Sequence, residues 1–197
     1  MLVIASSAAG AQVQAVFYHI PVSANTAPDL AATYATTPYC TTNVGGTTTG
    51  FSFDFGTTTS QNTLAASCSG TSAADFMHNF AVRFSGSLVA PSAGNYSFNL
   101  NSDDGTIVTV NGATIYSGYV VQGGGPGTLT ANLNGGVNPF AIDYFENSYG
   151  GANITFQLGP QLTVTPPVTT TPEPGSLALV GTGLVGLVPM LRRKARK

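Results

Sequence analysis

From residue 51 to residue 158 the chain alternates apolar and polar side chains with a period of two. Phe51, Phe53 and Phe55 open the pattern, followed by Phe80, Val82 and Phe84, and then by Tyr96, Phe98 and Leu100. Leu129, Ala131 and Leu133 continue it, then Phe140, Ile142 and Tyr144, and finally Ile154, Phe156 and Leu158. Successive side chains on an extended strand point to opposite faces, so each run predicts a half-buried β-strand. Gly, Asn, Pro and Ser separate the runs. Asn111-Gly112 lies between the run Ile107 to Val110 and Ile115. That dipeptide predicts a tight type I′ hairpin. No long segment with helical period precedes residue 175. The pattern predicts an all-β sandwich or barrel, followed by one C-terminal apolar helix.

The alternation stops at both ends, and the ends read differently. Gly175 to Leu191 is an uninterrupted apolar run of 17 residues. As a helix it would reach about 25 Å, the short end of what crosses a bilayer. Arg192, Arg193, Lys194, Arg196 and Lys197 follow it and are five of the chain's six cations. Basic residues stay cytoplasmic, so everything before Pro172 is expected on the far side of the membrane. Gly181 to Gly186 formally matches a dinucleotide-binding glycine pattern, but it lies inside the apolar run with no preceding strand. Pro172-Glu173-Pro174, the apolar run and the basic end resemble, in that order, the PEP-CTERM sorting signal of Gram-negative bacteria that make exopolysaccharides. The resemblance implies processing by an exosortase. The precursor would be anchored in the inner membrane and then released or attached at the cell surface or in the extracellular matrix.

At the other end, Met1 to Ala5 is apolar and leads to Ala9-Gly10-Ala11. That fits the remnant of a signal peptide, with cleavage expected after Ala11 and after Ala15 as second choice. A buried first strand is the alternative. The expected organisation is a signal remnant over 1–11, a β-domain over 12–160, a Pro/Thr-rich stalk over 161–171 and the sorting signal over 172–197.

Composition narrows the chemistry. Residues 12–171 hold seven carboxylates (Asp29, Asp54, Asp75, Asp103, Asp104, Asp143 and Glu146) against the single cation Arg83, a formal charge of −6. A domain so poor in cations does not grip phosphate backbones, which argues against nucleic acid. A divalent cation suits it better. Cys40 and Cys68 are the only cysteines. Export places them in an oxidising compartment, so a disulfide between them is expected. His19 and His78 lack ligand spacing. The chain has no G-x-S-x-G and no H-E-x-x-H, so a non-catalytic protein is expected.

The sharpest local feature is Ser102-Asp103-Asp104-Gly105, between the strand ending at Leu100 and the hairpin beginning at Ile107. Adjacent carboxylates repel, and no Lys or Arg stands near in sequence. Calcium takes six to eight oxygens and is the natural counter-charge. A solvated Asp-Asp-Gly turn is the plain alternative. Gly105 is expected to permit the bend. Asp143, out of phase with Phe140, Ile142 and Tyr144, is expected to face solvent. Gln122 to Gly127, with its glycines, reads as a flexible linker.

Phe84-Ser85-Gly86, Gly94-Asn95-Tyr96-Ser97-Phe98, Ser102-Asp103-Asp104-Gly105, Asn111-Gly112 and Tyr144-Phe145-Glu146 together resemble the PA-fourteen (PA14) domain, named for bacterial protective antigen. The resemblance covers roughly residues 14–160. It implies a β-sandwich-like barrel in which Asp103 and Asp104 hold calcium through a cis peptide. A second loop would supply Glu146 or Asn147 as ligands, with carbonyls from 148–151. Sugar hydroxyls would complete the coordination, and Tyr149 could stack on a sugar face. The implied function is calcium-dependent binding of a glycan or exopolysaccharide. The rival is a structural surface or matrix protein whose loop calcium stabilises without binding any glycan.

Overall fold

Each alternating run forms a strand, and the strands assemble into two antiparallel sheets. The computed structural model describes residues 12–21, 27–45, 49–147 and 152–166. The strands are β1 (Gln12–His19), β2 (Cys40–Gly45), β3 (Gly50–Asp54), β4 (Phe80–Ala90), β5 (Gly94–Asp103) and β6 (Thr106–Val110), followed by β7 (Ala113–Gly118), β8 (Gly127–Leu133), β9 (Gly136–Glu146), β10 (Asn153–Leu158) and β11 (Thr163–Thr165). One sheet runs β2-β1-β4-β9-β6-β7, with β11 also on β4. The other runs β3-β10-β5-β8.

The apolar phase of each strand meets its counterpart from the other sheet. Phe51 packs on Phe84 with ring centres 4.9 Å apart, and Phe140 on Phe156 at 5.5 Å. Phe55 stacks on Tyr144 at 5.8 Å. Leu88, Leu100, Leu133, Ile142 and Ile154 are fully buried between the layers. Burying each such side chain is worth roughly 1.5–3 kcal/mol. The hairpin turn has positive φ at both Asn111 (51°) and Gly112 (77°), as the type I′ reading requires.

The ends of the domain depart from expectation. In β1, Val13, Ala15 and Phe17 are buried, and Ala15 pairs with Thr42 on β2 and with Phe84 on β4. Cleavage after Ala15 would cut this strand in half, so the second-choice site is inconsistent with the sheet. The segment 161–171 is not all stalk. Leu162 and Val164 are buried, and Thr163–Thr165 pairs with Val89–Ser87 of β4. Three apolar-polar positions were too few to register as a strand in the sequence. Residues 1–11 and the sorting segment 172–197, including Pro172, Glu173, Pro174 and the apolar run, lie outside the described residues. Among the described residues no helix is long and apolar enough to cross a membrane.

Two helices carry no legible helical period in the sequence: α1 (Leu30–Tyr34) and α2 (Thr58–Ser67). α2 buries only Gln61 and Leu64, so its helical phase leaves little apolar signal. The Gln61 side-chain amide donates to the Phe55 carbonyl at 2.5 Å, which ties α2 to the end of β3. A disulfide joins Cys40 of β2 to Cys68 just beyond α2, fastening this polar segment to the sheet.

Candidate cation and ligand site

β5 leaves the sheet at Asp103, and the Asp103–Asp104 peptide bond is cis. The two carboxylates have different surroundings. Asp104 is buried, at 3% exposed. Its Oδ1 accepts the backbone N–H of Gln122 at 3.0 Å, and its Oδ2 accepts that of Asn147 at 3.1 Å. Gln122 belongs to the connection between β7 and β8, and Asn147 follows β9 directly. One carboxylate therefore gathers three connections at the tip of the sandwich. Asp103 is half-buried, and among the described residues its carboxylate oxygens accept no hydrogen bond. Partial burial, and secondarily the neighbouring Asp104, push its carboxyl above the ordinary aspartate range.

Tyr144 supports the pair from below. Its hydroxyl reaches the Asp103 carbonyl and, at 3.1 Å, Glu146 Oε2. One proton serves one acceptor at a time. Burial first, and Glu146 second, raise this hydroxyl well above its ordinary value, so it stays protonated. Glu146 is 1% exposed and shares the inward phase of β9 with Tyr144. Among the described residues no three carboxylate, imidazole or thiolate groups converge on one point. Glu146, expected as a ligand, is buried there and meets the same Tyr144 hydroxyl that reaches the Asp103 carbonyl. Asn147 is buried beside Asp104. Tyr149 and the rest of 148–151 lie outside the described residues.

The glycine-rich connection is a wall of this site, and the linker reading is corrected. Gly123 forms a β-bridge with Asp103, and the Gly125 N–H donates to Asn101 Oδ1 at 3.1 Å. A Cβ on Gly125 would sit 2.4 Å from the Ser102 nitrogen, so only glycine lets the loop lie this close. Gly105 is needed for the same reason: its φ is not positive, but a Cβ there would come within 2.5 Å of the Val120 backbone. The run of glycines from Gly123 to Gly125 was the sequence signal for this contact. Composition alone could not separate close approach from flexibility.

Asp143 is the other correction. Its phase is indeed opposite to Tyr144, but α1 covers that face. Arg83 holds it through Nε to Oδ1 at 2.7 Å and Nη2 to Oδ2 at 3.0 Å. The Tyr34 hydroxyl donates to Oδ1 at 2.5 Å, and the guanidinium lies 4.3 Å from the Tyr34 ring centre. The domain's single arginine is thereby committed away from the tip. Asp103 and Asp104 receive no cationic side chain among the described residues.

That donor set can be tested against a calcium ion. The Asp103 and Asp104 carboxylates, with no counter-charge among the described residues and Asp103 half-exposed, suit a hard divalent cation. Amide and carbonyl oxygens would have to complete the shell. The residues fit.

The family profile described as the PA14 domain matches residues 40–176. The chain belongs to the PA14 domain family. A second profile, the PEP-CTERM protein-sorting motif, matches residues 170–197. Such motifs mark exported proteins handled by an exosortase. Among solved structures, the PA14 domain of the MpAFP antifreeze protein is similar at 15% identity and a TM-score of 0.55, covering 80% of this chain and 93% of that one. A PA14 sugar-binding domain from an RTX adhesin is similar at 22% identity and a TM-score of 0.54, covering 79% of this chain and 91% of that one. An anti-sigma factor domain-containing protein from Clostridium clariflavum is similar at 14% identity and a TM-score of 0.52, covering 80% and 48%. These likenesses establish the fold. A comparison with curated protein sequences gives no match. The PA14 profile begins at residue 40, so β1 lies outside the match although it pairs centrally in the larger sheet.

Proposed function

We propose that this chain is an exported, non-catalytic surface or matrix protein that binds carbohydrate through a calcium ion at Asp103 and Asp104. The observation that carries the reading is the pairing of a buried Asp104 with a half-exposed Asp103 at one tip, with Arg83, the only arginine among the described residues, spent on Asp143. Asp103, Asp104 and the Asn147 amide are the side chains that would hold the ion. Bound there, calcium supplies positive charge and open positions that sugar hydroxyls can occupy. The protein's own part is orientation. Two backbone N–H groups fix the Asp104 carboxylate, and Tyr144 fixes the carbonyl of Asp103. The PEP-CTERM motif supports export, with the precursor anchored in the inner membrane of a Gram-negative cell. The sugar-binding character of the RTX-adhesin domain supports a glycan, such as the cell's own exopolysaccharide, as ligand.

A second reading is a structural protein whose tip calcium only braces the loops. The contact of Glu146 with the Tyr144 hydroxyl that also reaches the Asp103 carbonyl favours it, because that buried carboxylate braces the tip. Calorimetric titration of the full chain in mild detergent with calcium, followed by a glycan array with and without chelator, separates the two. Calcium-dependent sugar signal that disappears in Asp104→Ala supports the lectin. Calcium binding with a blank array supports the structural protein. No calcium binding at all defeats both.

A further inference from the structure

The outer face of the four-stranded sheet is built almost wholly of uncharged hydrogen-bonding groups. Along β5 the outward positions are Asn95, Ser97, Asn99, Asn101 and then Asp103. β8 sets Asn132, Thr130 and Thr128 opposite the first three of these. β10 sets Gln157 and Thr155 opposite Asn99 and Asn101. Asn95, Ser97, Asn99, Thr128, Thr130 and Gln157 are all exposed. Among the described residues the face presents no Lys or Arg, and its carboxylates, Asp54 and Asp103, lie together at the end that meets the aspartate pair.

This surface is also not flat. A depression of about 210 Å³ lies among Ser97, Asn99, Thr128 and Gln157. A second, of about 380 Å³, lies at the far end of the row beside Asn95, Tyr96 and Gln161. Gly159 borders both. A Cβ at Gly159 would come 2.7 Å from the Ser97 carbonyl, so this position carries no side chain and the floor between the two hollows stays open.

The chemistry selects the occupant. Amides and hydroxyls each donate and accept, which matches the hydroxyl array of a sugar. A polyanion is disfavoured, because the face offers no cation and the domain carries seven carboxylates against one committed arginine. A second copy stacked face to face would bring amide against amide with no apolar area to drive association. The row from Asn95 to Asp103 spans roughly 26 Å of strand, several sugar units long.

We propose that this face is an extended subsite which holds a linear, neutral polysaccharide along β5, continuing from the sugar bound at Asp103 and Asp104. The proposal rests on the lectin reading above, and it assigns the ligand as the interior of a polymer, not a terminal sugar alone.

Calorimetry on the full chain in mild detergent with calcium present tests it. The probes are oligomers of one to six units from neutral glucan, galactan and N-acetylglucosamine series. Affinity for at least one series should rise with length by roughly tenfold, the return of a few modest hydrogen bonds. Asn99→Ala combined with Gln157→Ala should flatten that rise while leaving calcium affinity, monosaccharide affinity and melting temperature unchanged. Thr128→Glu, which places a charge in the first depression, should do the same. Equal affinity at one and six units, or a length gain that survives both variants, overturns the subsite while the tip remains a lectin site. Variants that change self-association by sedimentation but not sugar affinity assign the face to a second copy and overturn it too. Failure of every sugar at every length removes the lectin reading itself, and the subsite with it.

Discussion

Asp143 and Asp104 are carboxylates of nearly equal burial, 4% and 3% exposed, with opposite electrostatic solutions. Asp143 is neutralised from within by a two-bonded arginine and a tyrosine hydroxyl. Asp104 receives two backbone N–H groups and, with Asp103 beside it, no cationic side chain among the described residues. The first site is complete in the folded chain. The second has its geometry fixed and its charge left open. Burial of an acid is therefore not by itself a sign of function here. What distinguishes the tip is that the protein spends its backbone on orienting a charge it does not cancel.

The comparison is broken most forcefully by removing the arginine. Arg83 is 44% exposed and can rehydrate, whereas the Asp143 side chain is 6% exposed and cannot. Arg83→Ala should cost about 3 kcal/mol by denaturant titration, because it strands the buried acid, and should leave calcium affinity unchanged. Asp143→Asn should cost less, since the freed guanidinium turns to water. Equal costs would show that the pair acts by packing instead of charge.

Next in size is Asp104→Ala. It should lower calcium affinity about 100-fold, close to 2.7 kcal/mol, while leaving the Arg83–Asp143 pair intact. Direct calorimetry reads the loss, and added calcium should no longer raise the melting temperature. A variant that keeps its calcium response places the ion elsewhere. Gly125→Ala addresses the wall of the site. A methyl 2.4 Å from the Ser102 nitrogen must push the loop outward, costing roughly 1–3 kcal/mol and weakening calcium binding through Gln122 and Asp104. Unchanged calcium affinity would mean that the loop does not set the carboxylate.

The smallest effect concerns Asp75, a half-buried acid unlike either of the others. The Ser72 N–H donates to Asp75 Oδ2 at 2.8 Å and holds its carboxyl below the ordinary 3.8. A depressed folded value contributes stability that is present above the unfolded value and lost as pH falls through the folded one. Solvent screening keeps this to a few tenths of a kcal/mol. Asp75→Asn should therefore narrow, slightly, the stability difference between pH 7 and pH 3. A wider difference would reverse the sign.

Much of the sandwich was readable because Phe, Leu and Ile recur at every second position of β4, β5, β8, β9 and β10, and both sheets bury that phase. β1 was readable only in part, since Val13, Ala15 and Phe17 sit beside apolar Val16 and follow a signal-like start. α2 was illegible because two buried side chains do not make a period. At the tip, Asp103 and Asp104 were conspicuous as charges in a chain that has few. The partners of Asp104 were not, because they are backbone N–H groups of Gln122 and Asn147, and any residue type can supply those. The cover over Asp143 was hidden likewise, since Tyr34 lies 109 positions away in sequence.

β11 and β1 share one edge of β4, with Thr165 opposite Ser87 and Gln14 opposite Ser85. Any pull delivered through the C-terminal segment therefore arrives at a strand of three residues before it reaches the long ladder between β4 and β9. Peeling that short piece would bare the rim beside Leu88 yet leave the acidic tip, organised by β5, β9 and their connections, in register. Tugged from its tail, the domain would yield at that short seam before the tip was disturbed.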